Sequence, residues 1–129
     1  MTLKTISTDQ APRPGGHYAQ ATVAGNLVFI SGQLPIAPDG TGLMREDFET
    51  QAEQAINNVL AILQAAGGEA AQLARVTVHI VGAENWGTFD EIYGRVLGDD
   101  VKPARTIVPV RELHYGYQVE IDAIGFIPG

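Results

Sequence analysis

The sequence predicts an α+β fold in which two helices pack on one face of a β-sheet. Two segments carry apolar residues at helical spacing. Several shorter segments are rich in β-branched and aromatic residues, as strands are, and Gly- or Pro-rich stretches separate them. The resulting order, β-β-α-β-α-β-β, favours a two-layer sandwich, and a length of 129 residues suits a single domain, 1–129.

The first third of the chain is predicted to hold short strands and loops. The dipeptide Gly25-Asn26 is typical of a tight hairpin turn, and it separates two short apolar segments. Pro- and Gly-rich residues before and after this hairpin favour loops. The predicted strands here are residues 3–7, 19–24 and 27–31, and the predicted loop spans 33–45.

The clearest predicted helix runs from Phe48 to Ala66. Apolar residues recur there at i, i+3 and i+4 spacing over about five turns. Asp47 is suited to the N-cap, where its carboxylate can accept a hydrogen bond from the first turn. Gly67-Gly68 then supplies the residue type that most often ends a helix.

The second half of the chain contains three more strands and one more helix. Residues 74–80 alternate apolar with polar side chains, which is typical of a half-buried strand. A stripe of large apolar residues that begins at Trp86 and ends at Leu97 indicates the second helix. The remaining predicted elements are a loop at 99–103 and strands at 105–110 and 117–126.

One face of the sheet is predicted to carry a mixture of polar and apolar side chains. The helices are expected to cover Val76, Val78, Val119, Ile121 and Ala123. The opposite face is then expected to carry Arg75, Thr77, His79, Arg105, Ile107, Pro109, Gln118, Glu120, Asp122, Ile124 and Phe126. Exposed apolar residues among these would be costly on a monomer, so we expect this face to pack against another subunit.

The composition excludes several kinds of chemistry. There is no Cys, which excludes disulfides, Cys-ligated zinc, iron–sulfur clusters and thiol nucleophiles. The formal net charge is −7 and the eight basic residues are scattered, which disfavours a nucleic-acid partner. No apolar run approaches the about 18 residues of a membrane helix, and residues 1–12 show no secretory signal. We therefore expect a soluble, cytoplasmic protein with no membrane partner.

Three charged residues are candidates for chemistry, and each has a structural alternative. Arg105 begins a strand that is otherwise apolar, and a guanidinium can bind a carboxylate by two parallel hydrogen bonds. Its alternative is a surface salt bridge, which the spacing alone favours. Glu120 either faces solvent or is desolvated at an interface, where it could polarise water. Asp90 either marks the edge of the apolar stripe on the second helix or belongs to a site.

Familiar cofactor and nucleophile motifs are missing from the sequence. The three His residues and the carboxylates show no metal-ligand spacing, so we expect no metal. Gly15-Gly16 and Ser31-Gly32 are not followed by the Lys and helix of a phosphate loop. Ser31 also lacks the Gly-x-Ser-x-Gly context of a serine hydrolase.

Six short motifs follow one another along nearly the whole chain. They are Ile6-Ser7-Thr8 with Ala11-Pro12, Gly16 to Ala21, Gly25 to Pro35, Ala65-Ala66-Gly67, Lys102 to Thr106, and Val119 to Ile124. Together they resemble the reactive intermediate deaminase (RidA/YjgF) family, also known as the endoribonuclease L-PSP family. The set is far more specific than any one motif.

This resemblance implies a chorismate-mutase-like fold and a homotrimer whose sheets line a central barrel, with active clefts between subunits. It implies hydrolysis of 2-aminoacrylate and related enamines or imines to 2-oxo acids and ammonia. The substrate is then a small carboxylate, and no cofactor is used.

The resemblance also implies roles for individual residues. Arg105 matches the carboxylate-binding Arg of the family, and Glu120 matches the Glu that positions water. Tyr18 matches the Tyr of a Gly-Pro-Tyr-Ser-Gln motif. The other predicted cleft residues are Ser31, Gly32 and Thr106.

Four positions depart from the family pattern. His17 stands where Pro is usual, Ile107 where many members have Cys, Asp90 where Asn is common, and Pro109 where Glu is frequent. We expect the first three to line the substrate pocket, and Ile107 and His17 to change its specificity. The alternative for His17 is an exposed loop residue in place of a loop Pro. Ile107 lies two residues beyond Arg105, so the two side chains should share a sheet face, and Ile107 should wall the cleft.

The sequence leaves other functions open. One is a specialised deaminase, such as one acting on 2-aminomuconate. Another is a trimer that binds small carboxylates as a sensor or scaffold without catalysis. Cleavage of RNA is disfavoured by the net charge of −7.

Overall fold

The fold is a six-stranded mixed sheet with two helices, as a computed structural model shows. The structure describes residues 2–128. The strands are β1 (Lys4–Ile6), β2 (Ala21–Ala24), β3 (Leu27–Gln33), β4 (Leu73–Val81), β5 (Ala104–Val110) and β6 (Val119–Phe126), and the helices are α1 (Phe48–Ala65) and α2 (Trp86–Leu97). The strand order is β1-β2-β3-β6-β4-β5. Each of these elements begins and ends within two residues of its predicted bounds.

Local sequence signals explain where these elements begin and end. Gly25 has a φ of 63°, which a tight turn between β2 and β3 requires and which glycine adopts without steric cost. At the start of α1, the side chain of Asp47 accepts a hydrogen bond of 2.8 Å from the backbone N–H of Thr50. Gly67, with a φ of 102°, follows the end of that helix. The hairpin, the N-cap and the helix end are therefore confirmed.

The core lies between the helices and one face of the sheet, as predicted. Val76, Val78, Val119 and Ile121 are fully or almost fully buried. Helix α1 packs closely on β6, because a Cβ atom on Gly125 would come within 2.8 Å of the side chain of Leu63. The α+β class and the covering of one sheet face by both helices are confirmed.

The side chains of Arg105 and Ile107, on the edge strand β5, were predicted on the wrong face of the sheet. Strand β5 runs parallel to β4, and Arg105 and Ile107 pair with the buried residues Val76 and Val78. Paired residues in a sheet point to the same side, so Arg105 and Ile107 face the helices. Pro109, which pairs with Ile80, lies on that side too. Alternation predicted correctly that these residues share a face, but the register with β4 decides which face it is.

The other sheet face, which no helix covers, carries an apolar patch larger than expected. Leu27 and Phe29 on β3 pair with Phe126 and Ile124 on β6. The side chains of Leu27, Phe29 and Phe126 are each about 40% exposed, and Ile124 is half-buried. Glu120 and Asp122 share this face, because they pair with His79 and Thr77 on β4. The mixed character predicted for this face is confirmed, and we call these four apolar residues the open-face patch.

Residues 2–128 offer neither a helix that could span a membrane nor a cluster of metal ligands. Neither helix in this part of the chain is apolar enough over a sufficient length to cross a bilayer. Within the same residues, no three His, Asp or Glu side chains lie close enough together to hold a metal ion.

Candidate active site

Six of the nine predicted site residues line two separate clefts rather than one. Arg105 and Asp90 line a cleft of about 480 Å³ between α2 and the loop before β5, which we call the Arg105 cleft. Tyr18, Gly32 and Glu120 line a second cleft of about 470 Å³, which we call the Glu120 cleft. Ser31 lines the second cleft as well. Within one chain, the carboxylate-binding candidate is therefore separated from the water-positioning candidate.

Arg105 is held by one ion pair and two aromatic rings. Its Nη1 lies 2.8 Å from Oδ1 of Asp90, and only 19% of its side chain is exposed. Its Cζ lies 4.8 Å from the ring centroid of Tyr93 and 5.6 Å from that of Trp86. All three partners come from α2, so the helix fixes the guanidinium through two aromatic rings and one ion pair. A cation fixed in this way is suited to bind a carboxylate.

The ring of Tyr93 stays neutral beside this cation. Burial raises the pKa of Tyr93 to about 12, although the charge of Arg105 opposes the shift. Its hydroxyl is buried and has no hydrogen-bond partner. Tyr93 therefore contributes to the Arg105 cleft through its ring, as a partner for the guanidinium.

A glycine makes room for the carboxylate of Glu120. A Cβ atom on Gly32 would lie 2.8 Å from Oε2 of Glu120. Gly32 lies where the register between β3 and β6 shifts, between Ile30 and Gln33. This irregularity moves the strand away from regular pairing at that point. The carboxylate of Glu120 therefore rests against the backbone of Gly32.

Hydrogen bonds to the backbone fix three other residues of the Glu120 cleft. The hydroxyl of Ser31 donates to the carbonyl of Ala19 at 2.7 Å, so it is not free to act as a nucleophile. The hydroxyl of Tyr18 accepts from the N–H of Gly15 at 3.2 Å, and its side chain remains exposed. The buried amide of Gln20 ties down the N-terminal segment that walls the cleft.

Three predicted pocket residues lie elsewhere in this chain. Ile107 packs against the core and does not line the Arg105 cleft of this chain. Its place in the wall of the complete substrate pocket stays a prediction. The hydroxyl of Thr106 accepts a hydrogen bond of 2.8 Å from Arg75 on the face that no helix covers. His17 lines a third cleft beside β1.

Four aromatic residues that contribute to the two clefts were not predicted as site residues from the sequence. Trp86 and Tyr93 were assigned only to the apolar stripe of α2, although their i, i+7 spacing places them on one helix face. His114 and Tyr115 line the Glu120 cleft. A cluster of three aromatic rings around Gly116 was the available signal for the second pair.

Comparison with known proteins adds the family context. A family model described as Endoribonuclease L-PSP matches residues 8–127. A RutC family protein of Pyrococcus horikoshii is 37% identical over 95% of this chain and 97% of its own length. The 2-iminobutanoate/2-iminopropanoate deaminase of Salmonella typhimurium is 36% identical over 94% and 95%. The crystal structure of Escherichia coli TdcF with bound serine has a TM-score of 0.91 and 33% identity, covering 97% of this chain and 99% of that one.

Proposed function

Because the chain belongs to the endoribonuclease L-PSP family, that is, the reactive intermediate deaminase family, we propose that it hydrolyses imines and enamines of amino acids. The products are 2-oxo acids and ammonia, and 2-aminoacrylate is a representative substrate. The observation that carries this proposal is the fixed, half-buried guanidinium of Arg105 in a cleft. The name of the Salmonella relative supports the same reaction.

We expect the complete active site to form between subunits of a homotrimer. Arg105 and Glu120 line different clefts of one chain, so a single chain does not present both to one substrate. The open-face patch is the kind of surface that packs against another copy. Bringing the Arg105 cleft of one subunit to the Glu120 cleft of its neighbour would complete the site.

The residues of the two clefts divide the reaction between them. Arg105 binds the substrate carboxylate, and its edge not paired to Asp90 supplies the hydrogen bonds. The enamine takes up a proton at carbon to become the imine. Glu120 holds a water, which adds to the imine carbon, and collapse of the resulting amino alcohol releases ammonia. The protein supplies orientation and charge, because imines hydrolyse readily once water is positioned.

A coupled assay tests the reaction directly. An amino-acid oxidase generates imines in situ from a panel of amino acids, and semicarbazide traps whatever imine remains. We expect the protein to lower the rate of semicarbazone formation. Binding of a 2-oxo acid without turnover of any imine would instead select the non-catalytic carboxylate-binding alternative.

Complementation between two inactive variants tests the shared site. Arg105→Ala and Glu120→Gln are each expected to be inactive as pure trimers. Refolded together in equal amounts, they should restore roughly a quarter of the clefts, because a cleft needs Arg105 from one subunit and Glu120 from its neighbour. No recovery in mixed trimers, shown to be mixed by mass spectrometry, would place both residues in the same subunit's site.

A further inference from the structure

Tyr115 combines a strained backbone with an exposed ring. Its φ of 61° is the only positive value at a non-glycine position among residues 2–128. This left-handed conformation is unfavourable for a bulky side chain. Of the large apolar side chains in the same part of the chain, that of Tyr115 is the most exposed, at 76%. Strain that exposes an aromatic ring gains nothing for the core, so it points to a role outside the core.

The ring is held in this position by its neighbours. It meets the ring of Tyr117 edge-on, at 88° and 6.3 Å between centroids. Tyr117 is itself buried, and β6 begins two residues later, so this anchor is rigid. The centroid of the His114 ring lies 5.9 Å from that of Tyr115. The 3₁₀ turn His114–Gly116 therefore presents the Tyr115 ring as a fixed surface.

The ring lies at the wall of the Glu120 cleft. Tyr115 lines this cleft together with Tyr18 and Glu120. Part of the remaining lining is apolar and comes from Pro12, Pro14, Leu34 and Ile36. The cleft holds about 470 Å³ in one chain, within the range of pockets that enclose drug-sized ligands, about 300–1,000 Å³. A three-carbon imino acid would fill only a small part of this space.

We propose that Tyr115 is a specificity-determining residue whose ring contacts the side chain of the substrate and favours 2-imino acids with large apolar side chains. This inference rests on the proposed function, because it assigns a substrate class to the same site. Arg105 holds the carboxylate, Glu120 holds the water, and the ring of Tyr115 with Leu34 and Ile36 receives the side chain.

Three substitutions at Tyr115 separate the effect of the ring from the effect of the left-handed backbone conformation. Tyr115→Gly removes the ring and adopts a positive φ without strain. Tyr115→Asn also removes the ring, but Asn tolerates the left-handed conformation and keeps the turn restricted. Tyr115→Phe retains the ring and loses only the hydroxyl. If the ring matters, Gly and Asn should behave alike and Phe should resemble the unmodified protein.

The readout is the ratio of kcat/KM for the imine derived from leucine to that for the imine derived from alanine. We expect Gly and Asn to lower this ratio about five- to tenfold, and Phe to leave it within about twofold. A second readout is the ratio of the affinity for 4-methyl-2-oxopentanoate to the affinity for pyruvate, measured by calorimetry. This second readout remains available if the protein turns over no imine, so failure of the proposed function is distinguishable from failure of this inference.

Two results would overturn the assignment. An unchanged leucine-to-alanine ratio in both the Gly and Asn variants would show that the ring does not contact the substrate side chain. Dissociation of the assembly in both variants, seen by sedimentation together with equal losses on both substrates, would make Tyr115 a subunit contact instead.

Discussion

The two clefts are built by different means. Side chains from one helix fix Arg105, through the carboxylate of Asp90 and the rings of Trp86 and Tyr93. In the Glu120 cleft, contacts with the backbone fix the side chains. Ser31 and Tyr18 form hydrogen bonds with main-chain groups, and the Glu120 carboxylate rests on Gly32. Among the residues that support Arg105 and Glu120, changes of charge should therefore have the larger effect in the first cleft, and small changes of shape should have the larger effect in the second.

The largest expected effect comes from removing the guanidinium. Arg105→Ala should lower kcat/KM about 30- to 1,000-fold, because a charge-assisted pair with the substrate carboxylate contributes about 2–4 kcal/mol. Arg105→Lys should fail nearly as badly, because an ammonium cannot reproduce the planar fork. Circular dichroism and sedimentation should show both variants folded and assembled. Full activity in Arg105→Ala would remove this residue from the mechanism.

A smaller but still clear effect is expected from one added methyl group in the other cleft. In Gly32→Ala, the new Cβ would displace the Glu120 carboxylate, which lies within 2.8 Å of its position. We expect kcat to fall about 10- to 100-fold, because the water would lose its positioned partner. The side chain of Glu120 can move without disturbing the backbone, so the melting temperature should change little.

A matched control for that variant lies in α2. Gly87→Ala adds the same methyl group at a position where nothing lies within 4 Å. It should leave kcat unchanged and raise the free energy of unfolding by at most about 0.5 kcal/mol, because Ala favours a helix over Gly but position 87 lies in the first turn of α2. Equal losses of activity in both variants would show that shape is not what distinguishes the Glu120 cleft.

The charge of Asp90 provides the third comparison. Asp90→Asn keeps an oxygen that can accept from Nη1 of Arg105, but it no longer neutralises the cation. We expect KM for the imino acid to fall about two- to fivefold, the size of one partly exposed ion pair, with kcat nearly unchanged. Asp90→Ala should raise KM instead, because the guanidinium loses the contact that orients it.

A substitution at Asp99 distinguishes the effect of the Asp90–Arg105 ion pair from that of the overall negative charge of the cleft. Asp99 lines the same cleft but makes no ion pair with Arg105. Asp99→Asn should therefore lower KM less than Asp90→Asn does. Equal decreases would mean that the overall negative charge of the cleft, and not the contact with Asp90, weakens substrate binding.

The sequence predicted the elements of this fold better than it predicted their relative placement. Helix α1 and the β2–β3 hairpin depend on local signals, Asp47 and Gly25, so their positions were predicted closely. The face of Arg105 depends on the parallel register of β5 against β4, which involves residues about 30 positions apart and leaves no local pattern. Alternation alone therefore placed Arg105 on the wrong side of the sheet.

The candidate site was likewise predicted only where the sequence carries a local signal. Arg105 and Glu120 were predicted as site residues, and each lines a cleft. Tyr18 was predicted as well, but four other aromatic residues of the two clefts were missed. Trp86 at helical spacing, for example, looks the same whether its ring packs in a core or against a cation. The conformation of Tyr115 was also missed, since a single left-handed residue produces no periodicity.

The smallest expected effect concerns the hydroxyl of Tyr93. This group is buried without a partner, so it contributes nothing that Phe would lose. Tyr93→Phe should keep the ring beside Arg105 and leave the free energy of unfolding at pH 7 within about 1 kcal/mol of the original, or slightly higher. Tyr93→Leu, which removes the ring, should lower both stability and substrate affinity, because the guanidinium loses an aromatic face.

The pH dependence of stability provides a second test at the same position. The pKa of Tyr93 is raised to about 12 in the fold, whereas an unfolded tyrosine ionises near 10. Above about pH 10, the unfolded chain releases this proton and the folded chain keeps it, so stability contributed by Tyr93 is lost as the pH rises towards 12. Tyr93→Phe lacks this proton. Its stability relative to the original protein should therefore increase between pH 9 and 11 in urea unfolding curves, and parallel curves across that range would show that the hydroxyl reaches solvent.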